Sequence, residues 1–151
     1  MHDPVALSVQ YFKNGYSCSQ AVVLGFQEYT HLDEKTCVRV ASSFGAGMGR
    51  LREVCGAVSG MMIVLGLLYG YESPTDREGK IQHYTRVQQL AETFKQQNGS
   101  YICRELLGRT KEAPTPEVRT EAYYKKRPCV EMVRCASQIL YDYIKENPIE
   151  S

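Results

Sequence analysis

An all-α fold, one domain over residues 1–151 built as a bundle of about five to seven helices, follows from three features of the sequence. Val54–Tyr71 reads VCGAVSGMMIVLGLLYGY, eighteen residues without a charge between Glu53 and Glu72, and it is apolar on every face rather than along one stripe. Such a segment is either the central buried helix of a globular domain or a membrane span. The flanking segments carry apolar residues at spacings of three and four, bounded by capping residues, as amphipathic helices packed on such a centre do. No segment of useful length alternates apolar and polar residues, so no strand is expected.

The elements follow in order. Asp3 and Pro4 suit an N-cap and first-turn proline for a helix with Val5, Leu7, Val9 and Phe12, ending near Asn14 and Gly15. Ser17 caps a second helix whose Cys18, Ala21, Val22, Gly25 and Tyr29 share a face. Asp33 caps a third, with Cys37, Val40, Ala41 and Phe44 on its stripe. The glycine loop Gly45–Gly49 then permits positive φ and close backbone approach. In the central segment Gly56–Gly60 and Gly66–Gly70 have the GxxxG spacing of paired membrane helices. No second span or basic flank accompanies them, so the segment reads as a core helix and no membrane span is expected. Asp76 caps a long helix with an inner stripe of His83, Val87, Leu90 and Phe94, joined by Ile81, Tyr84 and Ala91, and Asn98-Gly99 ends it. Ser100 is expected to cap a short helix carrying Cys103, Leu106 and Leu107. Arg109 to Pro128 is polar and reads as a connection, the most mobile part, with one short helix around Val118 to Tyr124. Pro128 suits the first position of the last helix, whose stripe is Cys129, Met132, Val133, Ala136, Leu140 and Tyr143.

Composition narrows the function. The formal net charge is +1 with the basic residues scattered, which leaves no electrostatic footprint for nucleic acid. No basic segment followed by an apolar core opens the chain, so a signal peptide is not expected and the protein is placed in the cytoplasm. Six cysteines in a reducing compartment point to thiols, metal ligands or redox sites rather than a disulfide framework. Neither CxxC nor CxxCH occurs, which weakens zinc-ribbon, thioredoxin-type and c-type haem readings.

Helix periodicity sorts the six. Cys18, Cys55, Cys103 and Cys129 fall in or beside the first turn of a helix, while Cys37 and Cys135 lie further in, where buried cysteine acts as a small hydrophobe. Helix starts offer unpaired N–H groups and the positive end of the macrodipole, which favour a thiolate or an anionic cluster.

Cys55-Gly56-Ala57-Val58-Ser59-Gly60 resembles the CGAxxG motif of the C_GCAxxG_C_C family of redox-active proteins, which carry four hallmark cysteines. By order and context the other three correspond to Cys18 in NGYSCSQAV, Cys103 in GSYICRELLG and Cys129 in RPCVEMV. The similarity runs from Phe12 to Tyr143 and leaves Cys37 and Cys135 outside the pattern. A similar domain occurs in split-Soret cytochromes, where related cysteines are assigned to a non-haem iron–sulfur centre. This chain lacks haem-attachment cysteines, so the resemblance implies only the cluster part, and it supplies no specific activity.

Four functions compete. In the first, Cys18, Cys55, Cys103 and Cys129 bind an iron–sulfur cluster, most simply [2Fe–2S], for electron transfer with a redox partner protein. Gly56 would let backbone N–H groups approach the sulfurs, and Arg50, Arg52, Lys125, Lys126 and Arg127 would offset cluster charge, unless they are simply a solvated surface. The second is metal-free thiol–disulfide chemistry, which needs cysteine pairs rather than convergence of all four. The third is a structural zinc site. The fourth is a non-catalytic interaction module, with the glycine-rich helix as a packing or homodimer interface. His83 reads as a core histidine, or as a proton relay or extra metal ligand. His2 and His31 read as surface residues, and Tyr123, Tyr124, Tyr141 and Tyr143 as cover for the core or as a face toward a cofactor or a partner chain. The loop at Gly45 is GxGxG without a preceding strand, not a dinucleotide fingerprint. No constellation for hydrolysis is present.

Overall fold

Capping chemistry sets where the first helices begin. In the computed structural model, which describes residues 1–108, 114, 119 and 128–149, α1 (Pro4–Lys13) opens on Asp3, whose carboxylate accepts from the Val5 N–H. Ser17 and Gln20 form a capping box at the start of α2 (Cys18–Gly25). A short α3 (Gln27–Thr30) follows and takes Tyr29 out of the α2 stripe. Asp33 accepts from the Thr36 N–H to open α4 (Glu34–Ala41). A 3-10 turn, Ser42–Phe44, and the short α5 (Gly45–Met48) lead to the central helix α6 (Gly56–Tyr69). Then come α7 (Arg77–Asn98), capped by Asp76, α8 (Cys103–Leu107) and α9 (Cys129–Glu146). Six of these helices have eight residues or more, and no strand occurs among the described residues.

The core forms where α2 and α9 pack on α6, with α1 laid against both α2 and α9. Phe12, Phe26, Phe94, Met61, Leu65 and Leu140 are its largest fully buried side chains. Among the described residues no helix is long and apolar enough to cross a membrane. The uncharged segment is longer than the helix it makes: Val54 is taken into an isolated bridge with Ile102, and Gly70 ends the helix in extended backbone. Nor is it buried all round. Leu67 is exposed and Met62, Ile63 and Gly66 are only half-buried, because nothing among the described residues covers that side fully.

Other expectations are corrected locally. Val40 faces outward, since α4 stops at Ala41 and buries only Cys37 and Ala41, with Val38 packed half-buried beside them. Ile81 and Tyr84 are exposed, and α7 buries His83, Leu90 and Phe94. Ser100 does not cap α8; its hydroxyl accepts from the Ile102 N–H and holds the turn before the helix, whose N-cap is Ile102. Pro128 stands at the N-cap of α9, one position earlier than expected. The expected helix at 118–124, the mobility of the polar connection, Tyr123, Tyr124 and the basic run Lys125–Arg127 lie outside the described residues.

Candidate redox site at the start of the central helix

The four cysteines singled out by helix position line one cavity of about 670 Å³, within the range of small-molecule and cofactor sites. Cys18 reaches it from the first residue of α2, Cys103 from the first of α8 and Cys129 from the first of α9, while Cys55 is the N-cap of α6. Cys55 and Cys103 are buried, and Cys18 and Cys129 keep part of their surface open. Phe12, Leu106 and Met132 give the cavity an apolar side, and Arg50, Arg52 and Arg119 bring guanidinium groups to it.

Two devices hold Cys55 and Cys103 in place. The first is the antiparallel bridge Val54–Ile102, in which the Cys55 N–H donates to Tyr101 O at 2.8 Å and the Cys103 N–H to Glu53 O at 2.6 Å. Both cysteines therefore leave the bridge directly into helices. They are diagonal across it, a relation that separates Cα atoms by roughly 7–8 Å, beyond the usual 4.4–6.8 Å of a disulfide. The Arg104–Glu53 ion pair at 3.0 Å closes the outside of the same bridge. The second device is a buried cation: Arg52 is 2% exposed and its Nη1 donates to Cys103 Sγ at 3.5 Å.

Cys18 is held by close approach to α6. A Cβ on Gly56 would stand 2.4 Å from Cys18 Sγ and 2.8 Å from Phe44 O, so the sulfur rests against backbone where no other residue fits. On the far side, Arg119 Nη1 donates to Phe12 O at 2.7 Å and the guanidinium lies 4.4 Å from the centre of the Phe12 ring.

The loop ahead of the motif has an unusual backbone. Ala46, Gly47, Met48, Gly49 and Arg50 all have φ between 57° and 70°, and the Gly49 N–H donates to Gly45 O at 2.9 Å, which makes one turn of left-handed helix. For each non-glycine residue this conformation costs about 1–2 kcal/mol. One contact turns inward from it: Gly47 is packed so tightly that a Cβ would lie 2.7 Å from Cys103 Cβ.

Electrostatics correct one expectation. Burial raises the Cys18 thiol above its ordinary range and the Cys55 thiol well above it, and neighbouring sulfurs push in the same direction. Backbone amides of Ala46 and Ser19 near Cys18, and of Ala57 and Val58 near Cys55, pull the other way. Burial outweighs them. The bare thiols of Cys18 and Cys55 are therefore protonated at neutral pH, not the low-pKa thiolates that helix position alone suggests.

Among the described residues no group of three or more His, Cys, Asp or Glu is gathered closely enough to hold a single metal ion. The four thiols share a cavity without meeting at one point. As a donor set, four thiols around one cavity with a glycine cradle beside Cys18 have the chemistry of a thiolate-bound metal site.

The remaining candidates lie elsewhere. Cys37 is fully buried in the core, its thiol pushed up to about 11 by burial. Cys135 sits between α7 and α9, accepting from Asn98 Nδ2 at 3.2 Å and donating to Gln97 Oε1 at 3.1 Å. His83 packs near Tyr71, just past the opposite end of α6, and does not line the cavity. His2 and His31 are at the surface, His2 against Glu28. Sequence reasoning missed Arg119, whose polar surroundings gave no signal, and the left-handed turn, of which the glycines signalled only half.

Comparison with curated proteins gives no match, and neither does comparison with solved structures. A family model described as "Putative redox-active protein (C_GCAxxG_C_C)" matches residues 16–143, a span that holds all four cavity cysteines and the turn before the motif. The chain therefore belongs to the C_GCAxxG_C_C family.

Proposed function

We propose that Cys18, Cys55, Cys103 and Cys129 hold an iron–sulfur cluster, [2Fe–2S] in its simplest form, and that the protein exchanges electrons with a redox partner protein in the cytoplasm. The observation that carries this reading is geometric: four cysteines, each at the start of a different helix, line one cavity beside Gly56, where no side chain fits. Metal binding at such thiols releases their protons. A bound cluster supplies one-electron redox chemistry. The chain's own part would be to supply four thiolates and to leave room at Gly56. Arg52 and Arg119 offset negative charge on the sulfurs, Arg52 through Cys103 and Arg119 through the field it exerts on Cys18.

Anaerobic purification, followed by iron, zinc and acid-labile sulfide analysis and a visible spectrum, tests the reading. Iron and sulfide near stoichiometry are expected in the wild type and in Cys37→Ser, and are expected to be lost in Cys55→Ser. Equal loss in the two variants would break the division of the cysteines. Zinc alone would replace the cluster with a structural site, and metal-free protein whose thiols pair on mild oxidation would replace it with disulfide chemistry.

A further inference from the structure

We propose that the cavity also seats a small organic anion beside the four cysteines: a molecule with one carboxylate or phosphate group held by arginine and a short apolar body laid on the cavity wall. Its place next to a redox centre rests on the reading of the cysteines given above, whereas its binding does not.

Three observations carry it. The first is size. A [2Fe–2S] core has four atoms and takes the room of roughly four waters, about 120 Å³, whereas the cavity measures about 670 Å³. Beside a cluster there is still room for a small molecule. The second is the cationic lining, to which Arg50, Arg52 and Arg119 bring guanidinium groups. A guanidinium presents five N–H donors in a planar fork that matches the oxygens of a carboxylate or phosphate. Arg52, 2% exposed, is bonded to Cys103 Sγ at 3.5 Å and so serves the sulfurs. Arg119 is fixed on Phe12 instead. Its Nη1 donates to Phe12 O at 2.7 Å, and its guanidinium lies 4.4 Å from the centre of the ring, within cation–π range. Two attachments to one residue order the fork before a ligand arrives, which lowers the cost of binding. The third observation is the apolar wall. Leu106, Leu107 and Met132 line the same cavity, and Phe12, itself 2% exposed, backs Arg119. Apolar surface with a few fixed charged groups is the lining of a small-molecule site, and an inorganic anion alone makes no use of it.

Isothermal titration of anaerobically purified full-length protein with hexanoate, hexyl phosphate, 1-hexanol, acetate and inorganic phosphate tests the proposal. One of the two six-carbon acids is expected to bind about tenfold or more tighter than 1-hexanol, which lacks the charge, and than acetate or phosphate, which lack the body. The stronger of the two identifies the head group. Arg119→Gln should weaken that acid about tenfold or more, while Arg77→Gln, an equal loss of charge at the exposed start of α7, should leave it within about twofold. If Arg119→Gln fails to fold, the wild-type comparison of the acids with 1-hexanol decides the matter. Equal binding of acid and alcohol, binding of neither acid, or equal weakening by the two substitutions overturns the proposal. Iron and sulfide analysis of the same samples keeps the two readings apart. A loaded cluster without selective binding removes the anion seat alone, and selective binding by wild type that holds no iron keeps the seat while the cluster falls.

Discussion

The two ends of α6 are built from opposite materials. At its start, thiols, a left-handed turn and a cavity meet, and burial raises the Cys18 and Cys55 thiols above their ordinary range. At its finish the groups are fully paired with one another. Arg86 donates through Nε to Tyr143 Oη at 3.0 Å and through Nη1 to Tyr69 O at 3.2 Å, placing a cation on the last carbonyl of the helix, where the macrodipole favours it. Tyr69 and Tyr143 meet edge to face at 5.1 Å, and Tyr69 Oη donates to Asn147 O at 2.7 Å. The contrast is between a polar cluster whose bonds close on themselves and a cavity onto which four thiols open.

The sharpest way to break that contrast lies on the helix itself. Gly56→Ala places a methyl 2.4 Å from Cys18 Sγ and 2.8 Å from a backbone carbonyl, and such overpacking costs about 1–3 kcal/mol or more. Gly66→Ala, nearly three turns further on, meets nothing within 4 Å and should stabilise the protein by about 0.5–1 kcal/mol through helix propensity. Urea unfolding reads both. Two losses of equal size would mean that the start of α6 has no special geometry.

A smaller effect is expected at the other end. Arg86→Met removes two hydrogen bonds from a charged group and is expected to cost about 1–3 kcal/mol, with the alkylation rates of Cys18, Cys55 and Cys103 unchanged. A change in those rates would couple the two ends and undo the separation.

How much of this was legible in the sequence differs between the ends for physical reasons. Helix starts announce themselves through local chemistry, so Asp3, Ser17, Asp33 and Asp76 were readable as caps and the four cavity cysteines as helix-start residues. Pairing between distant residues leaves no such trace. Val54 and Ile102, forty-eight positions apart, form one isolated bridge, and neither flank alternates as a strand does. The left-handed turn was half legible: glycines at 47 and 49 signal positive φ, but Ala46, Met48 and Arg50 adopt it against their own preference. Helix position also suggested acidic thiols, since it records the amides and not the burial that overrides them at Cys18 and Cys55. Ile81 and Tyr84 misled in the opposite sense, as apolar residues beside the inner stripe of α7 that the structure leaves exposed.

The smallest expected effect is a pH dependence confined to the finish of α6. His83 is buried beside Tyr71, with Arg86 Nη1 3.4 Å from its Nδ1, and its pKa is lowered from 6.5, first by burial and then by the Arg86 charge. Between the folded and unfolded values the unfolded chain binds the extra proton, so unfolding becomes easier as pH falls through that window. The contribution of His83 is complete above about pH 6.5 and is lost progressively until the folded pKa is passed, below which it is constant. Melting temperatures of wild type and His83→Gln, compared from neutral to mildly acidic pH, isolate this one group from the carboxylates. The wild type should lose more stability on acidification than the variant, while iron and sulfide content stays the same in both. Parallel melting curves would show that the imidazole is not held neutral by its surroundings, and loss of iron in the variant would return His83 to the redox site.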